Sequence, residues 1–187
     1  MILDLSDGKI LLGIARDAIT SSFSDKELKI DEEIKKRFSG KRGVFVTLTK
    51  DGELRGCIGY PIAVMPLYEG IVEAAKSAAF SDTRFDPLEK TELKDIKIEV
   101  SVLTKPQKID IEKSDEYPEK IKIGEDGLII ESDMGSGLLL PQVAVEWKWD
   151  AIEFLEHLCM KAGLPKDYWK TGNADIYKFQ AKIFSEE

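Results

Sequence analysis

Apolar residues recur at helical spacing over Gly8 to Phe23, with Ile10, Leu11, Ile14, Ala15, Ala18 and Ile19 on one face and Ser6 or Asp7 positioned to cap the first turn. A short charged helix follows over Asp31 to Phe38, and Gly40-Lys41-Arg42-Gly43 then breaks the chain. The period next changes to two. Val44 to Thr49 is a β-branched and aromatic run, Lys50-Asp51-Gly52 has the chemistry of a hairpin turn, and Leu54 to Tyr60 is the returning strand. Pro66, at a first helical position, opens a helix to Phe80 that gathers Leu67, Ile71, Ala74, Ala75 and Ala78 opposite Glu69, Glu73 and Lys76. Its small residues predict close packing on a sheet.

Further along, Ile96 to Leu103 alternates as a strand, and Lys120 to Ile123, Glu125-Asp126-Gly127 and Leu128 to Ser132 predict a second hairpin. Gly135-Ser136-Gly137 reads as a turn, and Pro141 opens a short helical turn through Val145. Asp150 and Glu153 make a capping box for a helix from Ala151 to Ala162, stopped by Gly163 and Pro165. Ala174 to Phe184 alternates, with Tyr177, Phe179, Ala181 and Ile183 on one face. Helices and hairpins mixed without a steady βαβ rhythm predict an α+β fold with a mixed, largely antiparallel sheet. At 187 residues, with no linker or internal repeat, the chain is expected to be one cooperative unit over 1–187.

Composition narrows the classes of function. A hydrophobic fraction of 43% with 33% charged residues suits a soluble protein, and no apolar run approaches the roughly 20 residues of a membrane span. Met1 to Asp7 lacks a basic start and a long apolar stretch, so no secretory signal is expected and the location is read as cytoplasmic. Two cysteines, Cys57 and Cys159, are too few for a disulfide framework and read as free thiols. A net charge of -8 argues against a broad grip on nucleic-acid phosphates.

The candidate chemistry centres on Leu54-Arg55-Gly56-Cys57-Ile58-Gly59-Tyr60. Glycine inside a strand usually marks a bulge, or a place where a ligand or another backbone comes close, which nominates Gly56 and Gly59 as binding positions. Strand alternation puts Arg55 and Cys57 on one face, their α-carbons roughly 6.5 to 7 Å apart, with Leu54, Gly56 and Ile58 on the other. A guanidinium near the thiol favours thiolate and makes Cys57 the candidate catalytic group. The competing reading is a small buried cysteine, with Arg55 paired to an acidic neighbour. Asp82, Arg84 and Phe85 form a second candidate: Arg84 suits bidentate recognition of an anion, or pairs with Asp82 to fix a loop while Phe85 plugs the core. His157 falls on a polar helix face among Glu153, Glu156 and Lys161, away from Ile152, Leu155, Cys159 and Ala162, so it is read as exposed. With one histidine and no CxxC, Walker or Rossmann motif, no metal or cofactor is expected.

With these residues assembled, the chain resembles the AMMECR1 domain family, whose LRGCIG hallmark stands at Leu54 to Gly59. The resemblance extends through 82–88, 98–103, 139–144, Trp149-Asp150 and 159–164, nearly the whole chain. It implies an α+β fold with a larger and a smaller lobe around a groove, the LRGCIG strand lying in or near it. Arg55, Cys57, Asp82, Arg84 and Phe85 carry over by motif, with Gln142 a weaker addition. The family has no established reaction, and its prokaryotic relatives are often associated with Memo-like and radical-SAM proteins. Two expectations follow: a ligand-binding or regulatory domain that docks a partner protein through a groove or its Ala-rich helix, or an enzyme using Cys57 as nucleophile or redox group on an anionic small molecule held by Arg55 and Arg84.

Overall fold

Asp4, not Ser6 or Asp7, opens the first helix. In the computed structural model, which describes residues 3–24 and 27–186, α1 spans Leu5–Ser21. The Asp4 carboxylate accepts from the Asp7 amide at 2.9 Å, and the Asp7 carboxylate accepts from the Asp4 amide at 3.0 Å. This reciprocal pair satisfies two donors that a helix start leaves open, and it moves the start three residues ahead of Gly8. The chain continues through α2 (Glu32–Arg37), β1 (Val44–Lys50), β2 (Glu53–Tyr60), α3 (Leu67–Phe80) and β3 (Ile96–Leu103). Asp51 and Gly52, with φ of 53° and 85°, form the two-residue turn of the β1–β2 hairpin, whose twist matches that of the strands it joins. Pro66 caps α3 rather than beginning it.

The fold divides into two compact units, one comprising 1–103 with 182–187, the other 104–181. In the first, the strand order is β2-β1-β3-β8, where β8 is Ala181–Ser185, and β1 runs antiparallel to both β2 and β3. Helices α1 and α3 cover one face. Leu11, Ile14, Ala15 and Ala18 from α1, and Ile71, Ala74, Ala75 and Ala78 from α3, share a core with Val44, Val46, Leu48, Ile98 and Val100. Each large side chain here contributes about 1.5–3 kcal/mol by leaving water. The Ala-rich face of α3 is thus consumed inside the unit and is no docking surface for a partner.

The second unit has the strand order β4-β7-β5-β6, from Gln107–Lys108, Asp175–Phe179, Gly127–Ser132 and Gly135–Leu139, with every pairing antiparallel. Helices α4 (Tyr117–Lys120), α5 (Pro141–Glu146) and α6 (Ala151–Lys161) complete it. Leu128, Ile130, Phe154, Leu155, Leu158, Cys159, Trp169 and Ile176 form its core. The expected hairpin over 120–132 is absent, because β5 pairs with β6 and 121–126 is a turn. There the buried Asp126 carboxylate accepts from the Lys122 amide at 3.0 Å. Gly135 and Gly137, read as a turn, lie in a strand pressed against the end of α6. A Cβ on Gly135 would stand 2.3 Å from the Ala162 carbonyl oxygen.

The last alternating segment is also two elements. It breaks at Gln180, with β7 in the second sheet and β8 in the first. Ile176, Phe179 and Phe184 are buried, while Ile183 is 47% exposed, because each half answers to a different core. On α6, Ile152 is exposed and Phe154 takes its place in the core. His157 is half-buried rather than exposed, its ring stacked on Trp149 at 3.7 Å. Among the described residues no helix is long and apolar enough to cross a membrane.

Candidate functional site

Strand β2 lies at the sheet edge, so alternate residues turn their backbone groups away from β1. Cys57 is one of them. Its amide donates to Asp82 Oδ2 at 2.9 Å, and its carbonyl accepts from Arg84 Nη2 at 3.2 Å. Arg84 grips the same carboxylate through Nε at 2.9 Å and Nη2 at 2.7 Å. The carboxylate and guanidinium together stand where the C=O and N–H of a further strand would be. They latch the loop after α3 onto the edge and cover one residue of it. The Arg84 hydrogen bonds, helped by the Cys57 amide and opposed by burial, hold the Asp82 carboxyl well below the usual carboxylate range.

Across the hairpin, Thr47 faces Cys57, with its Oγ1 3.3 Å from the sulfur. The register slips just beyond: Leu48 pairs with Gly56 but Thr49 with Leu54, which leaves Arg55 as the extra residue of a β-bulge. The bulge reverses the strand's alternation. Leu54 therefore joins the face of Thr49 and is 42% exposed, rather than sharing the inward side with Gly56. Arg55 pairs bidentately with Glu92, Nε to Oε1 at 3.1 Å and Nη2 to Oε2 at 2.9 Å, and its Nη1 donates to the Asp86 carbonyl at 2.9 Å. Lys50 reaches the same carboxylate at 3.0 Å. These partners, Arg55 first, lower the Glu92 pKa to about 2. The guanidinium that touches Cys57 is that of Arg84, not Arg55.

The strand glycines have partners within the protein. A Cβ at Gly56 would lie 2.1 Å from the Ala78 carbonyl oxygen of α3, and one at Gly59 would lie 2.3 Å from the Phe45 ring. The close approach they permit is that of a helix backbone and of a cross-strand aromatic. Phe85 is half-buried, with the Arg84 guanidinium 5.5 Å from its ring centroid, and it is Leu88 of this loop that is buried in the core. Gln142 belongs to the second unit, in α5, whereas Arg55, Gly56, Cys57, Gly59, Asp82, Arg84 and Phe85 gather in the first. Cys159 is fully buried, and burial pushes its thiol pKa up. Among the described residues no group of three His, Cys, Asp or Glu could hold a metal ion.

Sequence reading missed Glu92 and Thr47. Hairpin arithmetic from the Asp51-Gly52 turn sets Thr47 opposite residue 56, one short of its true partner because of the bulge. No local signal marks Glu92, which lies in the 3-10 turn Lys90–Lys94, 37 residues from Arg55.

These features define an α+β protein in which a glycine-bearing edge strand is latched by an Asp-Arg loop. The chain belongs to the AMMECR1 family, whose profile matches residues 12–184. A protein of Methanothermobacter thermautotrophicus is 50% identical over 99% of this chain and 97% of its own. One from Aquifex aeolicus is 44% identical over 97% and 93%. The crystal structure of an uncharacterized protein from Pyrococcus horikoshii matches with a TM-score of 0.88 at 44% identity, covering 99% of this chain and 94% of that one.

Proposed function

We propose that this protein is a binding or regulatory domain in which the LRGCIG strand and the loop at Asp82 to Phe85 act as a rigid scaffold. One observation carries this reading: the charged groups of the motif are already matched to one another. Arg55 is bidentate on Glu92 and Arg84 on Asp82, so an anionic small molecule would compete with two built-in carboxylates. The Cys57 sulfur meets the hydroxyl of Thr47, and the carboxylate nearest in the network, Asp82, is spent on the Cys57 amide and on Arg84. A nucleophilic thiol needs a base or a committed cation, and here both candidates hold backbone. The partner that completes such a domain is a protein, for which the family resemblance nominates a Memo-like or radical-SAM protein.

The enzyme reading rests on the half-buried thiol beside Arg84, whose side chain is 54% exposed. Complementation of a strain lacking the protein separates the two. A Cys57→Ala variant with the wild-type melting temperature is expected to restore function fully. Loss of function in that folded variant would overturn the binding reading in favour of thiol chemistry. Arg84→Gln checks the same point from the cation side and is expected to behave as a stability variant alone.

A further inference from the structure

On its outward side α3 borders a cavity of about 680 Å³ in the first unit, whose apolar lining is Leu28, Ile30, Tyr60, Met65, Tyr68 and Val72. Its polar lining is Glu27, Glu69, Glu73 and Lys76, three carboxylates against one ammonium. We propose that this groove docks a short amphipathic segment of a partner protein, apolar on one side and carrying Lys or Arg on the other. The inference goes beyond the scaffold reading and shares with the Cys57 strand only Tyr60 at its end.

The shape argues for a segment of chain. Tyr68, Glu69, Val72, Glu73 and Lys76 follow one another at helical spacing, so the α3 wall runs about 12 Å along the helix axis, the length of about two turns of a docked helix. The irregular stretch at 27–30 adds to the lining, its Leu28 and Ile30 half-buried and its Glu27 exposed. Between the lining residues Tyr60 and Met65, the loop exposes Ile62 at 72% and Val64 at 57%.

Charge selects the sign of the partner. Glu27 and Glu73 are exposed, and Glu69 accepts from the Tyr68 hydroxyl at 2.8 Å, which fixes that ring in the lining. Lys35, whose charge acts on Tyr68, is itself paired with Glu32 at 2.6 Å. A basic segment would place its cations against these carboxylates and two tyrosine rings, and an acidic segment would meet repulsion.

The test is fluorescence anisotropy on the full chain with a labelled synthetic peptide of about fourteen residues, Leu on one helical face and Lys on the other. A Glu-for-Lys version serves as its counterpart. Binding of the Lys peptide alone is expected, weakening with salt. It should weaken at least about ten-fold in Glu27→Lys/Glu73→Lys and in Val72→Asp, each checked for unchanged circular dichroism. Glu112→Lys/Glu119→Lys, in the other unit, should leave it unchanged. Equal binding of both peptides, indifference to the groove variants, or an equal loss in the control would overturn the proposal. So would full displacement by phenethylamine at matching concentration, which marks a small-amine site, or a dimer in sedimentation velocity that Glu73→Lys abolishes, which marks a second copy as the occupant.

Discussion

At the scale of single residues, the two carboxylates Asp82 and Glu92 organise the strand edge, and each is held ionised by an arginine. Asp82→Ala frees the Cys57 amide and leaves Arg84 without its partner, so it is expected to cost about 2–3 kcal/mol, read by thermal denaturation. Acid should act on the same pairs. The folded pKa of Glu92 is about 2 against an ordinary 4.5, so the folded protein binds this proton less readily than the unfolded chain. Its stabilising effect is complete above pH 4.5 and is lost as pH falls toward 2. Glu92→Gln should flatten the stability profile across that window while lowering stability at neutral pH, as urea titrations at several pH values would show. Asp82 loses its contribution at still lower pH. Arg55 was legible as a candidate from its place beside a glycine and a cysteine, and Arg84 from a loop that also carries Asp82 and Phe85. The Asp82 partner of Arg84 was legible two residues away, but the Glu92 partner of Arg55 was not, because an ion pair spanning 37 residues leaves no trace in local periodicity.

Elements show where pattern reasoning holds and where it fails. Helices α1, α3 and α6, the β1–β2 hairpin and β3 follow from periodicity, caps and turn chemistry, since each buries one face against a single core. The bulge at Arg55 escapes such reading because an inserted residue inverts the face of everything beyond it without altering composition. Gly135 and Gly137 mislead for a related reason: they look like turn residues but serve the close packing of β6 on α6. Glycines of the two kinds can be told apart by substitution. Gly56→Ala forces a methyl to 2.1 Å from a helix carbonyl and is expected to cost more than about 3 kcal/mol or prevent folding. Gly13→Ala in α1, where nothing lies within 4 Å, should stabilise by about 0.5–1 kcal/mol. Melting temperatures of the two variants on either side of wild type would check both.

For the whole molecule, we expect unfolding as one cooperative transition although the fold has two compact units. The distribution of probes makes this testable. Trp147, Trp149 and Trp169 all lie in the second unit, so intrinsic fluorescence reports on that unit. Cys57 lies in the first, and alkylation during a brief pulse reports on its opening. Coincident urea midpoints from the two probes are expected, and separated midpoints would define two domains. Cys159, fully buried, should label only with global unfolding and serves as an internal marker.

The break at Gln180 has a temporal side. A chain made from its N-terminus completes α1, the hairpin, α3 and β3 early, yet the fourth strand of their sheet is Ala181–Ser185. Until it arrives, the outer edge of β3 is a row of unpaired backbone groups, and Arg16 waits for Glu186, 170 positions away. The newborn protein must therefore keep the β3 edge open while the whole second unit is being made, which makes translation the stage at which it is most exposed to mispairing with a neighbour.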